Sequence, residues 1–252
     1  MKKKRDKILN LILPVITISC LILVWAIASI VVDSEYILPS VSQTAEEFIA
    51  LFSRADFYSS FLGTLFRSLL AFFISFVLAC LCAVLAFKIR YFKMAVQPLI
   101  AVVRALPTIA IVLLLLFWTN SKIAPVIVTT LVVFPTVYTQ IISALFSLNK
   151  TVAEAGRVDG ADELQVLLKV EIPQIMPAVY DTIGSGISLN FKLMVAAEVI
   201  AQTAKSIGYM LNTSKVYFEI AQMLALVCVA VIFGVIVEKI FNVLSQRAGN
   251  WK

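Results

Sequence analysis

Histidine is absent from the 252 residues. That removes the commonest metal ligand and the commonest general base at neutral pH. Charge is also scarce, at 14% of residues against 61% hydrophobic, and mean hydropathy is +0.99. A soluble domain of this length cannot hide so much apolar surface, so lipid is the expected solvent. Backbone polar groups then need partners within the protein, which leaves helices or a closed barrel. Apolar runs of about 20 residues without polar alternation select helices. The four cysteines (Cys20, Cys80, Cys82 and Cys228) all lie in apolar runs. Cys80 and Cys82 are two apart and point to different faces of a helix, so packing is their expected role rather than a disulfide framework or a zinc site. No G-x-x-x-x-G-K-[ST] phosphate cradle occurs, so the chain is not expected to be an ATPase, nor an enzyme of any other kind.

Six spans are predicted: Ile8–Val32, Ser60–Phe87, Ala95–Trp118, Ile123–Leu145, Ala178–Gln202 and Ile220–Leu244. The first run is too long for the apolar core of a signal peptide and has no small-residue cleavage site, so it reads as a retained span. Lys and Arg set the orientation. With six spans, the N-terminal tail, the second connection, the fourth connection and the C-terminal end share one side, which carries 14 basic residues against 4 on the other. Both termini are therefore expected in the cytoplasm, with the basic tail as an orientation anchor. The first external connection is expected to hold a short surface helix over Ser42–Phe52. No internal repeat is visible, which disfavours inverted-repeat transporters.

One stretch breaks the hydrocarbon. "EAGRVDGADELQVLLKVEIPQIMP", residues 154–177, carries seven charges and two prolines. Thr151–Glu154 has capping-box spacing, and Gly160 suits a helix C-cap. Asp162 is placed to cap a second helix. Leu164, Leu167 and Leu168 form an apolar stripe, expected to anchor that helix against the cytoplasmic span ends. Pro173 is expected to end it near Glu171, with Pro177 just ahead of the fifth span. Two capped helices around a glycine corner suit a structured knob that meets a partner better than they suit a tether.

The same stretch resembles the EAA loop of ATP-binding-cassette importer permeases. That motif reads E-A-A, three residues, G, nine residues, then I-x-L-P. Glu154-Ala155-Gly156, Gly160, Val170, Ile172 and Pro173 keep every spacing. The departures are Gly156 for Ala, Val170 for Ile and Ile172 for Leu; Gly156 weakens the first helix by about 1 kcal/mol relative to Ala. "ILPSVSQTAEEFIALF", "LPTIAIVLLLLFW", "NFKLMVAAEVIAQTAKSIGYML" and the terminal "NWK" are similar to the nitrate, sulfonate and taurine branch. Leu113 replaces a second proline common there, and Ser206-Ile207-Gly208 keeps only the second glycine of a Gly-Leu-Gly turn. The resemblance implies an all-α polytopic bundle of about six transmembrane helices with the type I importer permease fold. It implies one permease domain over residues 1–252, with a coupling loop at 148–177 that docks in a cytoplasmic ATPase subunit. Glu154, Ala155, Gly156, Arg157, Gly160, Asp162 and Pro173 are the coupling candidates; Glu154 either meets the ATPase or only caps its helix. The implied partners are that ATPase, an extracytoplasmic solute-binding protein and a second permease copy. The implied location is the bacterial cytoplasmic membrane. No cofactor is expected in this chain, since the partner uses the ATP.

Polar residues inside spans are costly and often functional. Lys192, Glu198, Ser188 and Asn190 are candidates for the pathway or a gate. Glu198 either lines the path or pairs locally to hold the external turn. Lys192 either suits an anionic substrate or meets a partner in the bundle. Arg67 and Arg104 are expected to snorkel at span ends. The expected cargo is a small polar solute, with anions among the options. A secondary transporter driven by an ion gradient is the competing function, and it would need paired intramembrane acids near the midplane. A polytopic membrane enzyme is a further one, and it would need clustered acids or metal-ligand motifs.

Overall fold

The computed structural model describes residues 2–149, 151, 152, 154, 158 and 162–249, with only the backbone described at 2–11, 163 and 164. Every regular element among the described residues is helical: α1 (Lys2–Val32), α2 (Val41–Leu51), α3 (Ala55–Lys88), α4 (Arg90–Ala105), α5 (Thr108–Trp118), α6 (Ala124–Phe146), α7 (Glu163–Val166), a π-helical turn (Leu167–Glu171), α8 (Ile172–Ala201), α9 (Ile207–Val216) and α10 (Ile220–Gly249). Five helical stretches are long and apolar enough to cross a membrane, and α4 with α5 makes a bent sixth. The chain is a multi-pass membrane protein.

Two compact units partition the chain: residues 1–58 with 210–229, and residues 59–209 with 230–252. In the first unit α1 is mostly exposed along its described face, as lipid-facing apolar helices are. The Trp25 indole N–H donates to the Pro39 carbonyl at 3.1 Å, tying α1 to the start of α2. A reciprocal cap opens α2: Ser40 Oγ accepts from the Gln43 N–H at 3.2 Å, and Gln43 Oε1 accepts from the Ser40 N–H at 2.9 Å. This is the short helix expected after the first span. Phe48, Phe52, Phe57 and Tyr58 follow as an edge-to-face chain of rings.

In the second unit α6 and α8 pack along each other, and α4 and α5 both pack on α6. One apolar cluster joins Ala79, Ala83 and Ala86 of α3 to Ile100 of α4 and to Val133, Val137 and Ile141 of α6. Small residues recurring every three or four positions let α3 approach closely, which is how helices associate where lipid is as apolar as leucine. A second cluster joins Val112, Val128, Ala197 and Ala201 from α5, α6 and α8. The opposite chemistry shares α3: Ser60, Thr64, Ser68 and Ser75 are all buried. They recur at helical spacing and turn one polar face of α3 into the bundle.

Four sequence expectations need correction. Ala95–Trp118 is not one straight span, because α4 and α5 meet at 93°. The cause is Pro107, which gives no N–H to the helix and pushes Leu106 out of helical backbone to ψ 128°. At 16 and 11 residues the two pieces are about 24 and 16 Å long, and neither crosses a ~30 Å hydrocarbon core alone. Pro173 does not end a helix near Glu171; α7, the π turn and α8 run on as a helical stretch. The Ile172 N–H reaches back to the Leu167 carbonyl, a π-type bond, and this wider turn just before Pro173 lets the helical stretch pass a residue that has no N–H to give. Pro177 likewise lies inside α8, not ahead of it. Thr151 does not open a capping box, since it is already helical; its N–H donates to Asn149 Oδ1 at 3.1 Å, so Asn149 serves that helix start.

Candidate functional sites

The first site is the charged loop. Ala155, Gly156, Arg157 and Gly160 lie outside the described residues. Glu154 is helical and exposed, and with Thr151 inside the helix it no longer occupies the third position of a cap. Asp162 caps the second helix as expected: its Oδ1 accepts from the Gln165 N–H at 2.7 Å and its carbonyl from the Val166 N–H at 3.0 Å. The feet of the loop are tied, with the Asn149 N–H donating to Gln174 Oε1 at 3.0 Å. Of the leucine stripe, the Leu164 side chain lies outside the described residues, and the other two do not anchor as expected. Leu167 and Leu168 are exposed at 42% and 54%, and Val166 is the buried residue at 1%. The π turn inserts an extra residue here and shifts the face that meets the bundle. Val158, at 87% exposure, adds a further apolar residue. Among the described residues the loop therefore has tied feet and an exposed surface on which Val152, Val158, Leu167 and Leu168 mix with Glu154, Asp162, Gln165 and Lys169.

The second site is at the other end of α8, where Glu198 is fully buried. Arg67 of α3 holds it with two contacts on Oε1, from Nε at 2.8 Å and from the terminal nitrogen at 2.7 Å. Thr64 Oγ1 donates to Oε2 at 2.8 Å, and the Gly208 N–H approaches the same oxygen at 3.5 Å. The turn after α8 is held in the same net. Gln202 closes the helix at φ 49°, in the left-handed region. The Thr203 N–H donates to the Glu198 carbonyl at 3.1 Å. The Ile207 N–H donates to Thr64 Oγ1 at 2.9 Å, and Arg67 also donates to the Lys205 carbonyl at 3.1 Å. Gly208 is required by space, since a Cβ there would lie 2.6 Å from the Val199 nitrogen. This explains why the second glycine of the turn is the one kept.

Arg67 does not snorkel, because its charge is spent inside the bundle. Sequence reasoning missed Arg67, Thr64 and Gly208 as partners of Glu198. The available signal was that two spans each held an isolated charge of opposite sign, and intramembrane charges pair. Arg104 remains exposed and reaches across to α6, donating to Thr139 Oγ1 at 2.6 Å and to the Pro135 carbonyl at 3.2 Å.

The remaining candidates lie between these sites. Asn190 is fully buried and donates to the Ser68 carbonyl at 2.6 Å and Oγ at 3.1 Å, and its Oδ1 has no partner. Ser188 is fully buried, and its Oγ has no partner. Lys192 is exposed, on the face of α8 away from Asn190. Phe61, Phe191 and Phe233 stack beside them, with the closest centroids 4.3 Å apart. Thus Ser188 and Asn190 sit in packed interior, Glu198 in a closed ion pair, and Lys192 on an open face.

The geometry is a bent third span, a tied loop with exposed apolar side chains after α6, and a long fifth span locked at its far end. It matches known proteins. The family described as the binding-protein-dependent transport system inner membrane component matches residues 71–250. The taurine transport system permease TauC of Escherichia coli is 23% identical over 233 residues, covering 90% of this chain and 84% of that protein. A putative aliphatic sulfonate transport permease of Bacillus subtilis is 19% identical over 253 residues, covering 100% and 90%. The fold matches a permease chain of the MetNI methionine transporter with TM-score 0.64 at 17% identity, covering 74% of this chain and 93% of that one. It also matches a chain of a bacterial transporter that imports alginate, with TM-score 0.61 at 18% identity, covering 97% and 96%. The chain belongs to the family of binding-protein-dependent transport system inner membrane components, and is a permease subunit of an ATP-binding-cassette importer.

Proposed function

We propose that this permease converts closure of a separate ATPase subunit into alternating access for a small polar solute, through the loop from Glu154 to Pro173. The observation that carries the reading is the set of exposed apolar side chains on tied feet. Val158, Leu167 and Leu168 are exposed, while the Asn149–Gln174 bond and the Asp162 cap fix the frame beneath them. A partner cleft gains by covering those side chains, and a fixed frame passes its displacement into α8. The small residues Ala155, Gly156 and Gly160 permit close backbone approach, and Arg157 and Asp162 suit charge-assisted contacts at the rim. Pro173 starts α8 and joins loop to span.

The assembly is two copies of this chain, an ATPase that holds the ATP, and an extracytoplasmic solute-binding protein. The bias of basic residues supports a cytoplasmic loop and cytoplasmic termini in a bacterial cytoplasmic membrane. The test is co-expression with the cognate ATPase and affinity purification of the permease. Wild-type chain retains the ATPase, and Gly160→Trp releases it and abolishes ATP-driven uptake into proteoliposomes. Retention with normal uptake overturns the role of the loop.

A further inference from the structure

An open groove of about 670 Å³ runs along α6, α8 and α10 within the second unit. That volume suits a small solute. Gln140 and Ser143 line it from α6, Asp181 and Ser185 from α8, and Glu238 and Asn242 from α10. We propose that this groove is a water-filled, acid-lined segment of the permeation path, and that the solute it passes carries a protonated amine or equivalent N–H donors rather than a bare anionic head. The proposal rests on the permease reading above and names the substrate class of that function.

Three observations carry it. First, all three helices contribute polar side chains to the groove, and each lies in a stretch apolar enough to span a membrane. Hydrocarbon offers these groups no hydrogen bonds, so lipid is the wrong occupant and water the right one. Second, both charged lining residues, Asp181 and Glu238, are exposed acids, and no lining residue is basic. A concave, low-dielectric wall of one sign concentrates counter-charge and repels its own sign. Third, polar residues recur along the closely packed α8–α10 seam beyond the groove. A Cβ on Gly184 would meet Phe241, and one on Gly234 would meet Ser188 Oγ at 2.7 Å, so the helices cross in that order. Next along the seam, Ser188 Oγ is fully buried and unpartnered. Asp181, Ser185, Ser188 and Lys192 share one face of α8 at helical spacing. Lys192 stands 11 residues from Asp181, about 16 Å along the axis, too far to neutralise it. Lys192, and Arg104 where it donates to the lining Thr139 at 2.6 Å, offer positive sites at the margins of the groove, which suits a solute with a second, negative end.

Thiol labelling of the assembled transporter in proteoliposomes tests this without knowing the solute. In a background where the four native cysteines are alanine, Ser143→Cys and Ser185→Cys are introduced singly. Each is reacted with membrane-impermeant thiosulfonates of similar size, one cationic and one anionic. The rate ratio is the readout, because any change in thiol ionisation affects both reagents alike. Both cysteines should label from water, with the cationic reagent faster by about 10-fold. Asp181→Asn with Glu238→Gln should bring that ratio close to unity. No labelling at exposed Ser143 means that lipid or a second copy fills the groove, and overturns the path. Equal rates overturn the charge selection alone. Failure of the permease reading shows separately, as loss of ATPase association in the purification above.

Discussion

The two ends of the fifth span are built on opposite plans. At the loop end, α8 begins after a π turn and carries Pro173 and Pro177, and its neighbours Leu167 and Leu168 are exposed. At the Gln202 end, Glu198 is fully buried and α3, α8 and the following turn converge on its carboxylate. One end has contacts left to make, and the other has made them all. On the coupling role proposed above, the sealed end is the fixed point of the span, and displacement enters at the other end through whatever binds there.

The largest break in this contrast comes from stranding a charge. Removing one partner of a buried pair leaves the other uncompensated, at a cost of about 3–5 kcal/mol. Glu198→Gln and Arg67→Met, each alone, should therefore strongly lower the temperature at which the detergent-solubilised permease loses its monodisperse elution peak. Replacing both together with methionine removes both charges, so it should recover more than half of the loss. Single variants as stable as wild type would dissolve the distinction between the two ends.

Gly208→Ala attacks the same end through space rather than charge. The new Cβ meets backbone at Val199, which cannot rotate away, and overpacking of this kind costs about 1–3 kcal/mol. The same thermal assay should show a smaller drop than for Glu198→Gln. The variant protein that folds should still retain the ATPase, because the loop end is untouched.

The difference between the ends also decided what could be read from sequence. The spans, the surface helix after the first span and the Asp162 cap depend on local pattern, and all were legible. Glu198 and Arg67 are 131 residues apart, and nothing near either one names the other. The prolines misled in both directions. Pro107 sits in an unbroken apolar run, so hydropathy hid a 93° bend. Pro173 sits among charges and looked like a terminator, yet the π-type bond from Ile172 to Leu167 carries the helical stretch past it. What separates the two is whether the backbone finds a substitute for the missing N–H. Sequence does not print that answer.

At the open end the effect on the permease itself should be small. Val158→Asp places a charge on a residue 87% exposed, and surface changes of this kind stay within about 0.5 kcal/mol. Its thermal profile should match wild type. The expected loss is elsewhere, in ATPase retained on the affinity column. A variant that destabilises the permease yet keeps the ATPase would show that Val158 serves the chain's own fold.

The subtlest test leaves both ends chemically intact and changes only their register. Deleting Leu168 removes one residue from the π turn, so the turn can close as ordinary α-helix. The segment before it then rotates by about 100° and moves about 1.5 Å relative to α8. Leu167 and Leu168 are both exposed, so little packing is lost and the thermal profile should hardly change. The Asp162 cap also lies upstream of the deletion and travels with its helix. What changes is the direction in which the loop presents its exposed apolar side chains. Bound ATPase should remain detectable, while ATP hydrolysis proceeds without matching uptake. Full coupling in the deletion would mean that the loop reorients freely on its feet. The Asn149–Gln174 tie, which crosses those feet at 3.0 Å, would then hold the loop's position but not its direction.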